Sequence, residues 1–149
     1  MASEQKRLRA GVVGAGVFGG FHASKYAAHP RADLVGIYEP DAEKARALAD
    51  KHGAKPYDNL ARLIEDCEAV TVASPAVHHF EAAAAALAQN RHVLVEKPIA
   101  SSVEEARELI GLAAIEAVIQ LTAQVHYLTV ATREHTAALE RARDSSQQP

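Results

Sequence analysis

Apolar residues in this chain follow two rhythms. LRAGVV (Leu8–Val13), the LVGIY of Leu34–Glu39, AVTVAS (Ala69–Ser74) and HVLVE (His92–Glu96) are short, nearly continuous apolar runs. Such runs predict strands buried on both faces. Between them, apolar positions recur at helical spacing over Phe18–Ala28, Asp41–Lys51, Leu60–Asp66, Val77–Gln89 and Ser102–Ala113. Within the second of these helices, Ala45, Leu48 and Ala49 share one face, and His52-Gly53 closes it. Asp58 or Asn59 caps the third, and a capping box opens the last, either Ser102 with Glu105 or Ser101 with Glu104. Ala54–Tyr57 predicts a brief further strand, which Pro56 assigns to a sheet edge.

Strand and helix therefore alternate, and the expected fold is α/β: a doubly wound parallel sheet covered by helices on both faces. The rhythm changes after residue 113. Ile119, Leu121, Ala123, Val125 and Tyr127 alternate with Gln120, Thr122, Gln124 and His126, which predicts a half-exposed strand. A helix over Arg133–Arg143 and a disordered polar tail, DSSQQP, are expected to follow. The division is thus a domain over 1–118 and a C-terminal strand, helix and tail over 119–149. Exposed strand edges invite pairing, so the second segment suggests sheet-edge addition or a homodimer.

Composition narrows the choice of function. The chain is 48% apolar, which argues against disorder. Its aromatic content of 5%, without Trp, argues against stacking on nucleic-acid bases. The net charge of −3, with no basic block beyond Lys6, Arg7 and Arg9, argues against a nucleic-acid partner altogether. Those three residues precede the apolar run Ala10–Phe21, as in a signal peptide. The glycines of that run make a poor hydrophobic helix, and it is too short to span a bilayer. A cytoplasmic protein without membrane contact is expected. Cys67 allows no internal disulfide, and its neighbours Glu65, Asp66 and Glu68 disfavour the thiolate. The histidines form no H-x-x-x-H pair, so no metal site is expected.

Candidate chemistry begins at Gly14-Ala15-Gly16-Val17-Phe18-Gly19, a G-x-G-x-x-G loop between a predicted strand and a predicted helix. Gly14 makes the turn, Gly16 lets a pyrophosphate reach the backbone, and Gly19 lets helix and strand pack closely. Amides at the helix start, at Val17 and Phe18, point at the phosphates. An acidic residue is expected about 20 positions on, at the end of the second strand. Glu39 stands there, suited to accept hydrogen bonds from the adenosine ribose and to repel a 2′-phosphate. Pro40 and Asp41 supply no compensating cation, so the expected cofactor is NAD rather than NADP.

A second stretch, VLVEKPIASSVEEA, puts Glu96-Lys97-Pro98 just past a strand, where ligands of open α/β sheets bind. A lysine there suits binding or proton transfer at a substrate hydroxyl, though in isolation a Lys-Pro after a strand is more often a solvated turn. Taken together, GAGVFGGFH, YDN, VASPAVHHFEAAAAAL and VLVEKPIA resemble the glucose–fructose oxidoreductase/inositol dehydrogenase/rhizopine-catabolism (Gfo/Idh/MocA) family, in register from about Leu8 to Ala114. His22 after the glycine motif, Ser74-Pro75 with His79, and the Glu96-Lys97-Pro98 tripeptide carry the likeness. The resemblance implies a Rossmann domain and oxidation or reduction at a carbinol carbon of a sugar, inositol or sugar nucleotide. It makes Lys97 the catalytic candidate and sets Ser74, Pro75, His79, Glu96 and Lys97 near the cofactor. A non-catalytic role at the helix start remains open for His79, and is favoured for His78. The family's second α/β domain has no counterpart in the 35 residues after Ala114. VIQLTAQVHYLTVATREH also lacks the family's Val-Gly and Arg-Phe motifs. The expected function is thus an NAD(H)-dependent oxidoreductase represented by its cofactor domain. The alternatives are an NAD(H)-binding module without turnover and a truncated family member.

Overall fold

Each predicted apolar run becomes a strand. β1 (Leu8–Val13), β2 (Ala32–Tyr38), β3 (Lys55–Tyr57), β4 (Ala69–Val72) and β5 (His92–Val95) form one parallel sheet in the order β3-β2-β1-β4-β5. The computed structural model describes residues 6–114. The strand expected at 119–127 and the helix expected at 133–143 lie outside the described residues. The chain starts at the middle of the sheet, builds outward to β3, then returns past β1 to β4. The strand order therefore reverses between β1 and β4, a topological switch point that opens a crevice at the carboxyl ends.

Helices cover both faces, as a parallel sheet requires. α1 (Val17–Ala28) and α2 (Ala42–His52) close one core around Val12, Ala23, Ile37 and Ala49. Tyr26 of α1 bonds through its hydroxyl to Thr71 Oγ1 of β4 at 2.7 Å, which satisfies a fully buried threonine. α3 (Leu60–Asp66), α4 (His79–Ala88) and a helix at 103–114 (α5) cover the other face, where Leu63, Ile64, Ala83 and Leu109 pack on Val13, Val70 and Val72. A side chain at Gly11 would meet Cys67 Sγ at 2.7 Å and Leu63 Cδ1 at 2.9 Å, so α3 and the residue that ends it lie directly on β1.

The Gly53 stop and the caps of α3 and α5 follow the sequence signals. The Asp41 carboxylate accepts from the amides of Glu43 and Lys44, and Gly53, at φ 66°, ends α2. Of the two candidates for α3, Asn59 is the cap, accepting from the Arg62 amide at 3.2 Å. Ser102 Oγ accepts from the Glu105 amide at 3.1 Å, which selects the Ser102/Glu105 box. The Glu105 carboxylate reaches back one residue further, to the Ser101 amide at 2.9 Å.

Two expectations are corrected. The helix expected over Val77–Gln89 is divided into a 3₁₀ turn, Ala76–His78, and α4. β5 is not a buried strand: Leu94 is 47% exposed and His92 lies open. β5 is the last strand of the described sheet, and an edge strand lacks the neighbour whose helices would cover it. Among the described residues, no helix is long and apolar enough to cross a membrane.

Candidate cofactor site

All four informative motifs follow strands of one parallel sheet, so they meet at its carboxyl edge. The glycine loop follows β1, Glu39 follows β2, Ser74-Pro75 follows β4 and Glu96-Lys97 follows β5. Gly14, at φ 101°, makes the turn, and its amide donates to the Tyr38 carbonyl at 2.8 Å. A Cβ there would lie 2.7 Å from the Ala73 and Ser74 backbone, so β4 closes against the loop. A Cβ on Gly19 would overlap the Gly14 carbonyl oxygen, because α1 is seated against the turn.

Gly16 differs from both. Among the described residues, no atom lies within 4 Å of a Cβ built there, and its φ of −76° suits any residue. The protein itself therefore gives no reason for a glycine. Gly16 is also the N-cap of α1, where it offers no side chain to the first-turn amides, and that turn contains no acidic residue. The open backbone and the uncapped, positive helix end fit a phosphate group brought up to Val17 and Phe18.

Gly14, Glu39, Ser74 and Pro75 line one cleft of ≈ 360 Å³ at the switch point. Glu39 does more than line it. Its Oε2 accepts from the Ala15 amide at 2.9 Å, so the carboxylate fastens the glycine loop, and Oε1 lies 3.4 Å from the Asp41 amide. The Ser74 hydroxyl is buried and has no hydrogen-bond partner among the described residues, a polar atom left over in the cleft wall. His78 and Glu81 line the same cleft. Sequence reasoning gave neither of them a role; their place beside the Ser-Pro turn is the signal that pointed there.

Glu96 and Lys97 lie apart from that cleft, toward α1. His22 Nε2–H donates to Glu96 Oε1 at 2.7 Å, and both side chains are about one-quarter exposed. This bond holds the Glu96 carboxyl below its ordinary range, against the opposing effect of desolvation. The Lys97 ammonium stands 5.5 Å from the centre of the Phe18 ring, within reach of a cation–π contact. Val17 and Phe18 are exposed, at 73% and 49%. His79 is placed differently: it is 1% exposed, and its two ring nitrogens are turned to backbone carbonyls, Nε2 to Ser74 and Nδ1 to Pro98. Neither nitrogen faces the cleft. Cys67 is fully buried, and burial pushes its thiol up to about 12, so it is no nucleophile.

A parallel sheet with a glycine loop, an acidic residue after β2 and a switch-point cleft defines a dinucleotide-binding Rossmann domain. A family model described as an oxidoreductase family with an NAD-binding Rossmann fold matches residues 8–125, and the chain belongs to that family, Gfo/Idh/MocA. UDP-N-acetylglucosamine 3-dehydrogenase of Acidithiobacillus ferrooxidans is 37% identical over 106 residues, which are 71% of this chain and 33% of the relative. Glucose-6-phosphate 3-dehydrogenase of Bacillus subtilis is 40% identical over 96 residues, 64% of this chain and 27% of the relative. Among solved structures, myo-inositol dehydrogenase of Lactobacillus casei, in complex with NAD(H) and myo-inositol, aligns at a TM-score of 0.67 and 27% identity, over 71% of this chain and 33% of its own. The chain thus spans about a third of the length of the curated relatives it matches.

Proposed function

We propose that residues 1–118 form the cofactor half of an NAD(H)-dependent oxidoreductase that interconverts a hydroxyl and a ketone on a sugar, an inositol or a sugar nucleotide. The observation that carries this reading is the Glu39 carboxylate. It stands at the end of β2 in the cleft with Gly14, is fixed by the Ala15 amide, and keeps lone pairs to accept from two ribose hydroxyls. Neither Pro40 nor Asp41 supplies a cation for a 2′-phosphate, which favours NADH over NADPH. When bound, the nicotinamide supplies hydride donation or acceptance. The chain's own residues supply the rest. The Val17 and Phe18 amides hold the pyrophosphate, and Ser74 and Pro75 form the facing wall. His22 fixes Glu96 on the Lys97 loop, and Lys97 Nζ gives or takes the proton at the substrate hydroxyl oxygen. Relatives named for UDP-N-acetylglucosamine, glucose 6-phosphate and inositol support a polyol or sugar substrate.

Calorimetric titration of the chain with NADH and with NADPH tests the reading. NADH is expected to bind on the order of tenfold tighter or better, and Glu39→Ala to weaken NADH and narrow the difference. Binding of neither cofactor by a folded chain would overturn it. Lys97→Ala is expected to keep NADH affinity and abolish turnover; unchanged turnover removes Lys97 from its role. Turnover of a polyol by the unaltered chain would exclude a non-catalytic dinucleotide-binding module. Residues 119–149 are proposed to pair two chains. Light scattering should then give about twice the 15.9 kDa of one chain, and a monomer alone would rule pairing out.

A further inference from the structure

We infer that His79 is a positioning residue that braces the Lys97 loop against the wall of the cofactor cleft, an inference that rests on the roles proposed above for Lys97 and Ser74. His79 opens α4 and is 1% exposed. Its Nε2 lies 2.7 Å from the Ser74 carbonyl oxygen and its Nδ1 lies 2.8 Å from that of Pro98. Carbonyl oxygens only accept, so each bond needs an N–H on the ring nitrogen facing it, and the ring holds both carbonyls when both nitrogens carry a proton. A planar ring with a nitrogen on each side is suited to span two carbonyls. An apolar side chain would fill the same space at lower desolvation cost, so the polar ring is retained for what its nitrogens hold.

The two carbonyls belong to the two loops of the proposed site. Ser74 follows β4 and lines the cleft. Pro98 follows Lys97, past the end of β5. Sheet pairing reaches only as far as Glu96, whose amide donates to the Val72 carbonyl at 2.9 Å. Lys97, Pro98 and Ile99 are then exposed, and the Pro98 carbonyl is where this segment is tied back toward β4. The brace fixes the gap between the cleft wall and Lys97, although His79 touches neither cofactor nor substrate.

Amide hydrogen exchange on the 149-residue chain, with NADH titration in parallel, tests the brace. His79→Phe keeps a ring and removes both bonds, whereas His79→Gln keeps an amide donor. His79→Phe is expected to speed exchange at His78 and Lys97 on the order of tenfold, leaving Val12 and Ile37 unchanged, and to weaken NADH by a similar factor. His79→Gln should recover part of both effects. Exchange that rises equally throughout the sheet, or stays unchanged at Lys97, would overturn the inference and leave His79 a packing residue. If His79→Phe does not fold, ¹⁵N-histidine spectra of the unaltered chain decide. Protected N–H signals from both His79 ring nitrogens support the brace, and a single protected N–H refutes the two-carbonyl span. Failure of the unaltered chain to bind NADH would defeat the functional reading alone, because the exchange pattern still reports on the brace.

Discussion

One methyl group separates two glycines of the loop, Gly16 and Gly19, by what each has to avoid. At Gly19 it would overlap the Gly14 carbonyl oxygen, and relief requires α1 to move off β1. At Gly16 it would meet no atom of the described residues within 4 Å, at a backbone angle alanine accepts. The physical demands are therefore opposite: Gly19 serves the fold, and Gly16 serves whatever approaches the loop. Gly19→Ala is expected to cost roughly 1–3 kcal/mol in urea unfolding, as overpacking does. Gly16→Ala should stay within about 0.5 kcal/mol of the unaltered chain and yet weaken NADH binding. If Gly16→Ala bound NADH at full strength, the loop's open side would not be where the phosphates lie. Glu39 adds a second residue-scale coupling. Because it holds the Ala15 amide, its loss loosens the loop as well as the ribose contact.

At the scale of elements, the sequence was legible wherever one rhythm ran long enough to repeat. β1 starts and ends where LRAGVV predicts, and α3 spans the predicted Leu60–Asp66. The caps of α3 and α5 were legible because Asn59 and Ser102 act on amides three residues away. The convergence of the motifs was legible too. In a parallel sheet every strand's carboxyl end lies on the same edge, so Gly14, Glu39 and Ser74 had to become neighbours once their strands were recognised. Properties set by remote partners were not legible. HVLVE reads as a buried strand, yet its exposure depends on what stands beside β5. The bond from His22 to Glu96 joins residues 74 positions apart, and no local pattern announces it. His79 was recognisable by its place after Ser74-Pro75, but not the turning of both its nitrogens toward carbonyls. That orientation depends on how the chain leaves β5, which apolar spacing does not encode.

For the whole molecule, the ionisable groups set a window of pH within which the fold keeps its full stability. The Lys6 ammonium, with smaller help from Arg9, holds the Glu68 carboxyl down to about 2. Hydrogen bonds from Lys44 and from His22 lower Asp41 and Glu96. These carboxylates are more acidic folded than unfolded. Their contribution is complete above the ordinary value of 4.5 for glutamate and is lost as the pH falls through their lowered values, about 2 for Glu68. Burial raises the Cys67 thiol to about 12 and raises the Tyr57 phenol, whose hydroxyl also donates to Asp66 Oδ2 at 2.6 Å. Those two are weaker acids folded than unfolded. Their contribution is complete below the ordinary thiol value of 9.0 and is lost as the pH climbs through their raised values, about 12 for Cys67. The urea midpoint is therefore expected to be flat from about pH 5 to pH 9 and to fall on both sides. The acid limb belongs to surface pairs, so added salt should shorten it, whereas the alkaline limb starts from buried groups and should resist salt. Glu68→Gln separates the contributions: it should make the decline below pH 4.5 shallower and leave the alkaline limb unchanged. An acid limb of unaltered slope in that variant would mean that the ties from Lys6 and Arg9 to Glu68, which pin the start of β1 beside β4, add nothing to the stability of the sheet in solution.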